Sequence, residues 1–432
     1  KNILSKSTYI KAMQCQKQLF LYKKKYFLRD LMPPERAAKF QRGHQIGHLA
    51  QELFPGGYDC TPKSPSQYKK TVLKTSELIE QGETQVIYEA GFQADRTLVL
   101  LDVLVKADDG WEAYEVKSSL GLSETYYKDA ALQYYVIKQS GLDLKRFFLV
   151  HMNPDYRLEG GLELDKLFIK VDVTEEINKH LEEVAAGIEE SVTTTTLTSS
   201  PDIEIGKHCY SPYDCDFIGH CWSREPKPGI YNLPMLNLQE KEELRQLGKT
   251  STELLELEDT DRKIKNQISS WQQGKSYIDK VAIRETGIFE ERRRTHIIKP
   301  LYYRSAKPQF EGDAPYERKL FAYGIVTIRT KPNGSITRRM DVSVADCDAD
   351  SLEKFKQKFG RIIIEDKPIF FEHPSELALV NIFKEGMFVH PNVQDSYDLH
   401  SLVKIWNPEW KINRDCPSDT IAAYKFMEIF NN

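Results

Sequence analysis

The sequence has no apolar run as long as the ~18 residues a membrane span needs, so no membrane partner is expected. Its opening, KNILSKSTYIK, has no apolar signal core, which makes secretion unexpected and a cytoplasmic location the expectation. The start at Lys1 reads as that of a trimmed chain. Cysteines are few and odd in number, seven in 432 residues, which suits a reducing compartment better than a disulfide framework. Glycine and proline follow no collagen-like period, and aromatics at 11% are too frequent for a disordered chain. What remains is an ordinary globular composition, 40% hydrophobic and 29% charged. At ~100–200 residues per domain, the length suits two to four domains.

Charge of one sign is missing only locally. The chain as a whole has a net charge of −4, but residues 1–29 contain eight basic residues and no acid. Residues 292–339 carry twelve basic residues against Glu311, Asp313 and Glu317. Two positive tracts in a mildly acidic protein point to a polyanionic partner. Solvated surface is the alternative.

Cys209, Cys215 and Cys221 lie in GKHCYSPYDCDFIGHCW with five residues between neighbours, and Pro212 and Gly219 bend the chain between them. That spacing wraps a loop around a central atom or cluster. Mononuclear zinc sites more often use C-x2-4-C pairs, whereas iron–sulfur clusters use clustered thiolates plus a distant fourth. Cys15 is the natural fourth. His208 and His220 keep a Cys3His zinc site open. Cys60, Cys347 and Cys416 read as ordinary small residues.

The clearest chemistry lies between residues 86 and 137. TLVLLDVLVK (97–106) is apolar on both faces and reads as a buried strand with Asp102 at its centre. The turn ADDG (107–110) leads into WEAYEVK (111–117), where Trp111, Ala113, Glu115 and Lys117 share a face. Pairing about Asp108–Asp109 sets Asp102 opposite Glu115, roughly 5 Å apart at Cβ, with Lys117 beside them. Two converging carboxylates and a lysine suit metal-dependent phosphodiester hydrolysis by magnesium or manganese. The lysine orients a water or offsets transition-state charge. A buried Asp–Lys ion pair is the competing reading. YYKDAALQYYVIKQSG (126–141) reads as a helix carrying Gln133 on an apolar face, and RFFLVHM (146–152) as a further strand. The order is that of an α/β core.

Asp102, the triplet Glu115-Val116-Lys117 and Gln133 resemble the motifs of RecB-like PD-(D/E)xK nucleases. Cys15 with Cys209, Cys215 and Cys221 resembles that family's iron–sulfur branch, the AddB nuclease domain and the RecB-like CRISPR-associated exonucleases. SKSTYIKAMQCQKQLFLYKKK and FQRGHQIGHLAQELFPGG are similar to the family's start. The resemblance covers residues 1–225. It implies that Asp102, Glu115 and the Val116 carbonyl bind metal, that Lys117 is catalytic and that Gln133 positions metal or substrate. It also implies that the four cysteines hold a cluster, of the 4Fe-4S type, that staples the domain's two ends. The family's G-x-x-x-H histidine falls at Gly47 here, which leaves His44 and His48 as candidate metal ligands. Its Q-x-x-x-Y tyrosine falls at Ile137.

TTTTLTSSP (193–201) reads as a low-complexity approach to the cysteine loop, and SREPKPGIYNLP (223–234) as a boundary. Residues 226–290 read as a helical connector and 291–432 as a second α/β domain. FAYGIVTIRT, SITRRMDVSV and RIIIEDKPIFFE are its expected strands, and DSLEKFKQKF and SELALVNIF its expected helices. This domain weakly resembles a DnaQ-like, RNase H-fold exonuclease. Where that fold needs an acidic pair, however, the first strand reads Leu301-Tyr302-Tyr303-Arg304-Ser305, and Glu372 and Asp398 cannot build the site alone. A degenerate fold that binds phosphates and bases is expected, with Arg292, Arg293 and Arg294 as contacts, and Lys23, Lys24 and Lys25 are the expected nucleic-acid contacts of the first domain. The expected function is a metal-dependent nuclease on single-stranded or end-bearing DNA. The rival is a non-catalytic scaffold subunit for a helicase or other repair or defence complex. Nothing in the sequence points to a redox role.

Overall fold

Aliphatic runs with no polar face pair into central strands, and three of them build the middle of the first sheet. The computed structural model describes residues 3–251, 261–287, 294–333, 335–345, 349–366, 368–370, 380–393 and 397. Arg292, Arg293, Cys347, Glu372, Asp398 and Cys416 lie outside the described residues. By contact the chain divides into two units: Lys1–Ser223 with Arg304–Glu317, and the remainder. Among the described residues, no helix is long and apolar enough to cross a membrane.

The first unit is mixed α/β. Strand β1 (Leu4–Ser5) leads into α1 (Lys6–Gln14) and α2 (Gln16–Lys24), and α3 spans Pro34–Gln51. Strand β2 (Tyr58–Asp59), α4 (Tyr68–Gln81) and the meander β3 (Val86–Ala94), β4 (Thr97–Ala107) and β5 (Gly110–Lys117) follow. Helix α5 (Glu124–Gln139) crosses over to β6 (Leu144–Met152), which lies parallel to β5. Next come α6 (Leu164–Leu167), β7 (Phe168–Asp172), α7 (Thr174–Asn178) and α8 (Leu181–Thr196), and α9 (Ile218–Cys221) lies in the cysteine loop. The sheet order is β2-β3-β4-β5-β6-β7, and β1 also pairs with β4.

Side-chain alternation gives the sheet two apolar faces. Trp111, Ala113, Phe147 and Leu149 pack with Ala130, Leu132 and Val136 of α5. Tyr114, Val150 and Met152 pack with Ile46 and Ala50 of α3. Each fully buried aliphatic or aromatic side chain contributes ~1.5–3 kcal/mol. In β3 and β4 the alternation slips once. Ile87 and Leu104 share a cluster with Ala90, Phe92, Val99 and Leu101, although the two groups differ in parity along their strands. The slip falls at Glu89 and Asp102, and Glu89 takes a φ of 50°. An irregularity of this kind re-aims side chains.

One sequence expectation is sharpened and one corrected. The low-complexity approach to the cysteine loop begins, at Thr193–Thr196, as the last turn of α8, where Thr193, Thr195 and Thr196 donate their hydroxyls to carbonyls three or four residues back. That bonding lets polar residues end a helix. In the second unit, residues 361–366 belong not to a strand but to helix α13, defined below. Phe355, Phe359, Ile362 and Ile363 keep helical spacing and pack into one core, which outweighs the strand preference of the isoleucines.

The second unit contains α10 (Leu238–Gln246), α11 (Arg262–Gln273), β8 (Tyr277–Ile278) and α12 (Lys280–Glu285). Its long strands are β9 (Arg294–Arg304), β10 (Arg318–Thr330) and β11 (Ile336–Val344). They are followed by α13 (Ala349–Asp366), β12 (Ile369–Phe370), α14 (Asn381–Lys384) and β13 (Phe388–Val389). The larger sheet has the order β11-β10-β9-β12, with β12 parallel to β9.

Candidate active site and cysteine pocket

The β4–β5 hairpin pairs Ala107 with Gly110, so Asp108 and Asp109 form a two-residue turn. Gly110 has a φ of 145°, and a Cβ there would meet the Asp143 carbonyl at 2.7 Å. The ladder runs to Val103 opposite Tyr114, and one step further in this register sets Asp102 opposite Glu115. Asp102 accepts a hydrogen bond from the Val116 N–H at 2.6 Å. On the other side of β4, the β3 register sets Glu89 opposite Asp102, between the pairs Tyr88–Val103 and Ala90–Leu101. Glu89, Asp102 and Glu115 therefore form a row across β3, β4 and β5.

Glu115 is 2% exposed and faces the α5 side of the sheet. Its Oε1 accepts from Lys117 Nζ at 2.8 Å and from Lys6 Nζ at 2.7 Å. Lys117 also donates to Asp129 Oδ2, and Lys6 stands 3.7 Å from the same oxygen. Gln133 lies one helical turn after Asp129 and is fully buried. Four buried polar atoms in this group have no hydrogen-bond partner: Glu115 Oε2, Asp129 Oδ1, and Oε1 and Nε2 of Gln133. Native proteins leave few such atoms unpaired unless water or an ion satisfies them.

Burial pushes the Glu115 carboxyl up, but the charges of Lys117 and Lys6 prevail and hold it well below the usual carboxylate range. Burial lowers both lysines, and Asp129 and Glu115 more than restore them, so each sits above an ordinary lysine. Asp102 is raised well above the usual range by burial and then by the Glu115 charge. The same two causes, in the same order, push Glu89 up to about 7.

The structure thus brings Asp102, Glu115 and Lys117 together, with Gln133 on the helix above them. Sequence reading missed Lys6, Glu89 and Asp129. His48 is exposed on α3, near enough for its charge to act on Glu89. His44 is exposed, with no hydrogen bond or ion pair to the cluster. Lys24 and Lys25 are exposed, Lys23 donates to the Ile3 carbonyl, and Arg294 opens β9 exposed.

Cys15, Cys209, Cys215 and Cys221 line one small pocket, together with Leu21, Ile203, Phe217 and Ile218. Cys15 sits at the junction of α1 and α2. The loop is fastened to the chain's start at several points. Gln14 donates to the carbonyls of His208 and Tyr213 at 2.7 and 2.6 Å. Buried Asp216 accepts from Lys11 at 2.5 Å and Arg36 at 2.8 Å, with Arg29 at 3.6 Å. The Gly219 N–H donates to Asp30, and a Cβ at 219 would meet that carboxylate at 2.4 Å. Burial pushes the Cys215 thiol up to about 12, and raises Cys15 and Cys221 as well. A cationic centre would be needed to make them thiolates. Cys60 is buried in the main core instead. Among the described residues, no three His, Cys, Asp or Glu side chains form a group that could hold a single metal ion.

No protein-family model matches the chain, and no curated protein matches it.

The carboxylate row makes stability pH-dependent. Glu89 has a folded pKa near 7, raised from 4.5, so its contribution is full below about 4.5 and is lost as pH rises through about 7. Metal-free protein should lose up to about 3 kcal/mol across that window from this group. Glu115 works in the opposite direction but only below about 4.5, since its folded pKa is depressed. Thermal melts from pH 4.5 to 7.5 should therefore fall more steeply in the parent than in Glu89→Gln. Parallel curves would contradict this assignment.

Proposed function

We propose that the first unit is a metal-dependent phosphodiester hydrolase of the PD-(D/E)xK type, acting on DNA as a single strand or at an end. The observation that carries this reading is the convergence of Asp102, Glu115 and Lys117 beside four buried, unpaired polar atoms. Such a site fits a hydrated hard cation, which takes one or two carboxylates and keeps several waters. Asp102, Glu115 and the Val116 carbonyl would hold magnesium or manganese, which when bound polarises the phosphate and acidifies a water. Lys117, anchored by Glu115 and Asp129, presents a positive charge where negative charge develops on the phosphate. Gln133 supplies an amide that can orient water or substrate. Asp129 also lines a cleft of about 360 Å3 with Met13, Lys128, His180, His208 and Pro212. This lies within the ~300–1,000 Å3 typical of ligand sites.

We further propose that the cysteine pocket holds an iron–sulfur cluster. The four thiols share one mostly apolar pocket, and three clustered thiolates plus a distant fourth is a pattern that iron–sulfur clusters use. When bound, the cluster supplies the positive charge that keeps these thiols ionised. In the second unit, a parallel β12 beside β9 in the order β11-β10-β9-β12 supports an RNase H-like reading. Strand β9 carries no acid, which supports a degenerate, nucleic-acid-binding role.

A non-catalytic reading has one observation in its favour: Glu115 already binds two cations, as a purely structural ion cluster would. End-labelled single- and double-stranded DNA incubated with magnesium or manganese separates the two. The parent should cut only with metal. Asp102→Ala, Glu115→Ala and Lys117→Ala should each lower cleavage by at least about 10²-fold while keeping DNA binding. No cleavage by the parent under any metal would favour the scaffold.

Protein purified without oxygen should be brown, absorb near ~400 nm and contain iron. Serine at Cys15, Cys209, Cys215 or Cys221 should bleach it and lower its melting temperature, because cluster binding is coupled to folding. Colourless protein with stoichiometric zinc would overturn the cluster.

A further inference from the structure

We infer that residues 304–317 form a strap that completes the candidate active site, and that Tyr316 is a positioning residue for Lys117. The inference rests on the hydrolase reading above. In sequence the strap belongs to the second half of the chain, yet it packs as part of the first unit. Its far end is latched to the loop after β6. The Leu158 N–H donates to the Asp313 carbonyl at 2.9 Å, and the Gly312 N–H to the Leu158 carbonyl at 2.7 Å. The Gly160 N–H donates to the Glu311 carboxylate at 3.0 Å. Asp313 is 5% exposed, and its Oδ2 accepts from the N–H groups of Gln309 and Phe310. Glu317 accepts from the Ala314 N–H. The acids of the basic tract 292–339 are thus all engaged in shaping and latching this one segment. Ala306 is buried in the core that holds Ile46, Ala50 and Tyr114.

At its near end, the Tyr316 hydroxyl donates to the Ser118 carbonyl at 2.5 Å, across 198 residues of sequence. Ser118 directly follows Lys117. The Lys117 carbonyl accepts from the Ser119 N–H at 2.8 Å, and the Ser119 carbonyl from the Met152 N–H at 2.9 Å. Tyr316 therefore supplies the bond to the one carbonyl between these two, where β5 ends and the chain turns away from the site. Tyr316 is held at a φ of 58°, with its N–H on the Ser305 carbonyl at 2.7 Å. A bulky residue adopts that conformation only where its surroundings fix it. The Lys117 ammonium lies 5.2 Å from the centre of the Tyr126 ring as well as on Glu115 and Asp129. Its position thus depends on where the end of β5 is held.

The test uses the full chain and two readouts. Tyr316→Phe keeps the ring and removes only the hydroxyl. It should lower kcat by ~10–100-fold, the scale of a misplaced catalytic group, with KM for single-stranded DNA within about twofold. Independently of cleavage, amide hydrogen exchange at Ser119 should speed up about tenfold in Tyr316→Phe and in Asp313→Ala, which removes the carboxylate that holds the Gln309 and Phe310 N–H groups and shapes the strap. Unchanged exchange at Ser119 in folded Tyr316→Phe would overturn the positioning role, whatever the activity. Faster exchange with unchanged kcat would overturn its link to chemistry. A parent that cuts nothing sinks the hydrolase reading and, with it, the catalytic half of this inference, while exchange still decides whether the strap holds β5.

Discussion

A carboxylate with 2% exposure stays ionised only if cations reach it, and Glu115 is such a group. Burial alone would neutralise it. Lys117 comes from the same strand, but Lys6 must be delivered from the start of the chain. That delivery explains an otherwise slight element. Strand β1 is two residues long, yet its pairing of Leu4 with Thr97 and Ser5 with Leu98 sets the start of α1 over the β-meander. Ser5 then caps α1, with its hydroxyl accepting from the Thr8 N–H, and Lys6 is the first helical residue. The α5 crossover brings Asp129 to the same ammonium groups. Breaking a buried pair of this kind costs about 3–5 kcal/mol, because the remaining charge stays buried. The charge at Glu115 therefore constrains three separate parts of the first unit at once.

The two lysines do not balance the site. Glu89, Asp102, Glu115 and Asp129 surround Lys6 and Lys117, so with every group ionised the cluster is two positive charges short. Burial raises Glu89 and Asp102 first and the Glu115 charge raises them further, so these two acids hold on to protons while the lysines pair with Glu115 and Asp129. One divalent cation would supply the missing charge. It would also give Glu115 Oε2 a partner that no side chain provides, and its waters would do the same for Asp129 Oδ1 and Gln133. Protons and metal then compete for the same carboxylates, so metal binding strengthens as pH rises.

The hairpin was legible in the sequence because its determinants are local. A two-residue turn fixes register, alternation fixes the face, and together they place Asp102 opposite Glu115 with Lys117 alongside. The shared cysteine pocket was legible for another reason: few residue types serve a metal centre, so four candidates could be chosen from seven cysteines. Lys6, Glu89, Asp129 and Tyr316 were not legible. Lys6 is one of eight cations in a run without acids, and only the β1–β4 pairing selects it. Glu89 sits in an ordinary strand pattern, and its importance comes from a slip in alternation that composition does not encode. Asp129 is one of two acids in an amphipathic helix. The helix at 361–366 was misread because three consecutive isoleucines favour strand locally, while the packing of Ile362 and Ile363, with Phe355 and Phe359, against Ile298, Leu320 and Tyr323 of the sheet is tertiary.

The cysteine pocket and the carboxylate row are joined by a single element. Helix α1 spans Lys6–Gln14, about 13 Å at 1.5 Å per residue. Its first residue binds Glu115, its last binds the carbonyls of His208 and Tyr213, and Cys15 follows directly. Lys11, between them, binds Asp216 in the cysteine loop. A helix with a closed hydrogen-bond ladder carries displacement from one end to the other, so the cysteine loop and Lys6 are not independent. Whatever orders the loop also fixes the ammonium that neutralises Glu115. Tyr316 acts at the other end of the same problem, holding the turn that follows Lys117. The two cations on Glu115 are therefore positioned by contacts lying more than ninety residues beyond it in the chain: Lys6 through the loop at 208–216, Lys117 through the strap at 304–317. The candidate residues Asp102, Glu115 and Lys117 sit on one short hairpin, and the residues that hold their groups in place are spread over most of the first unit.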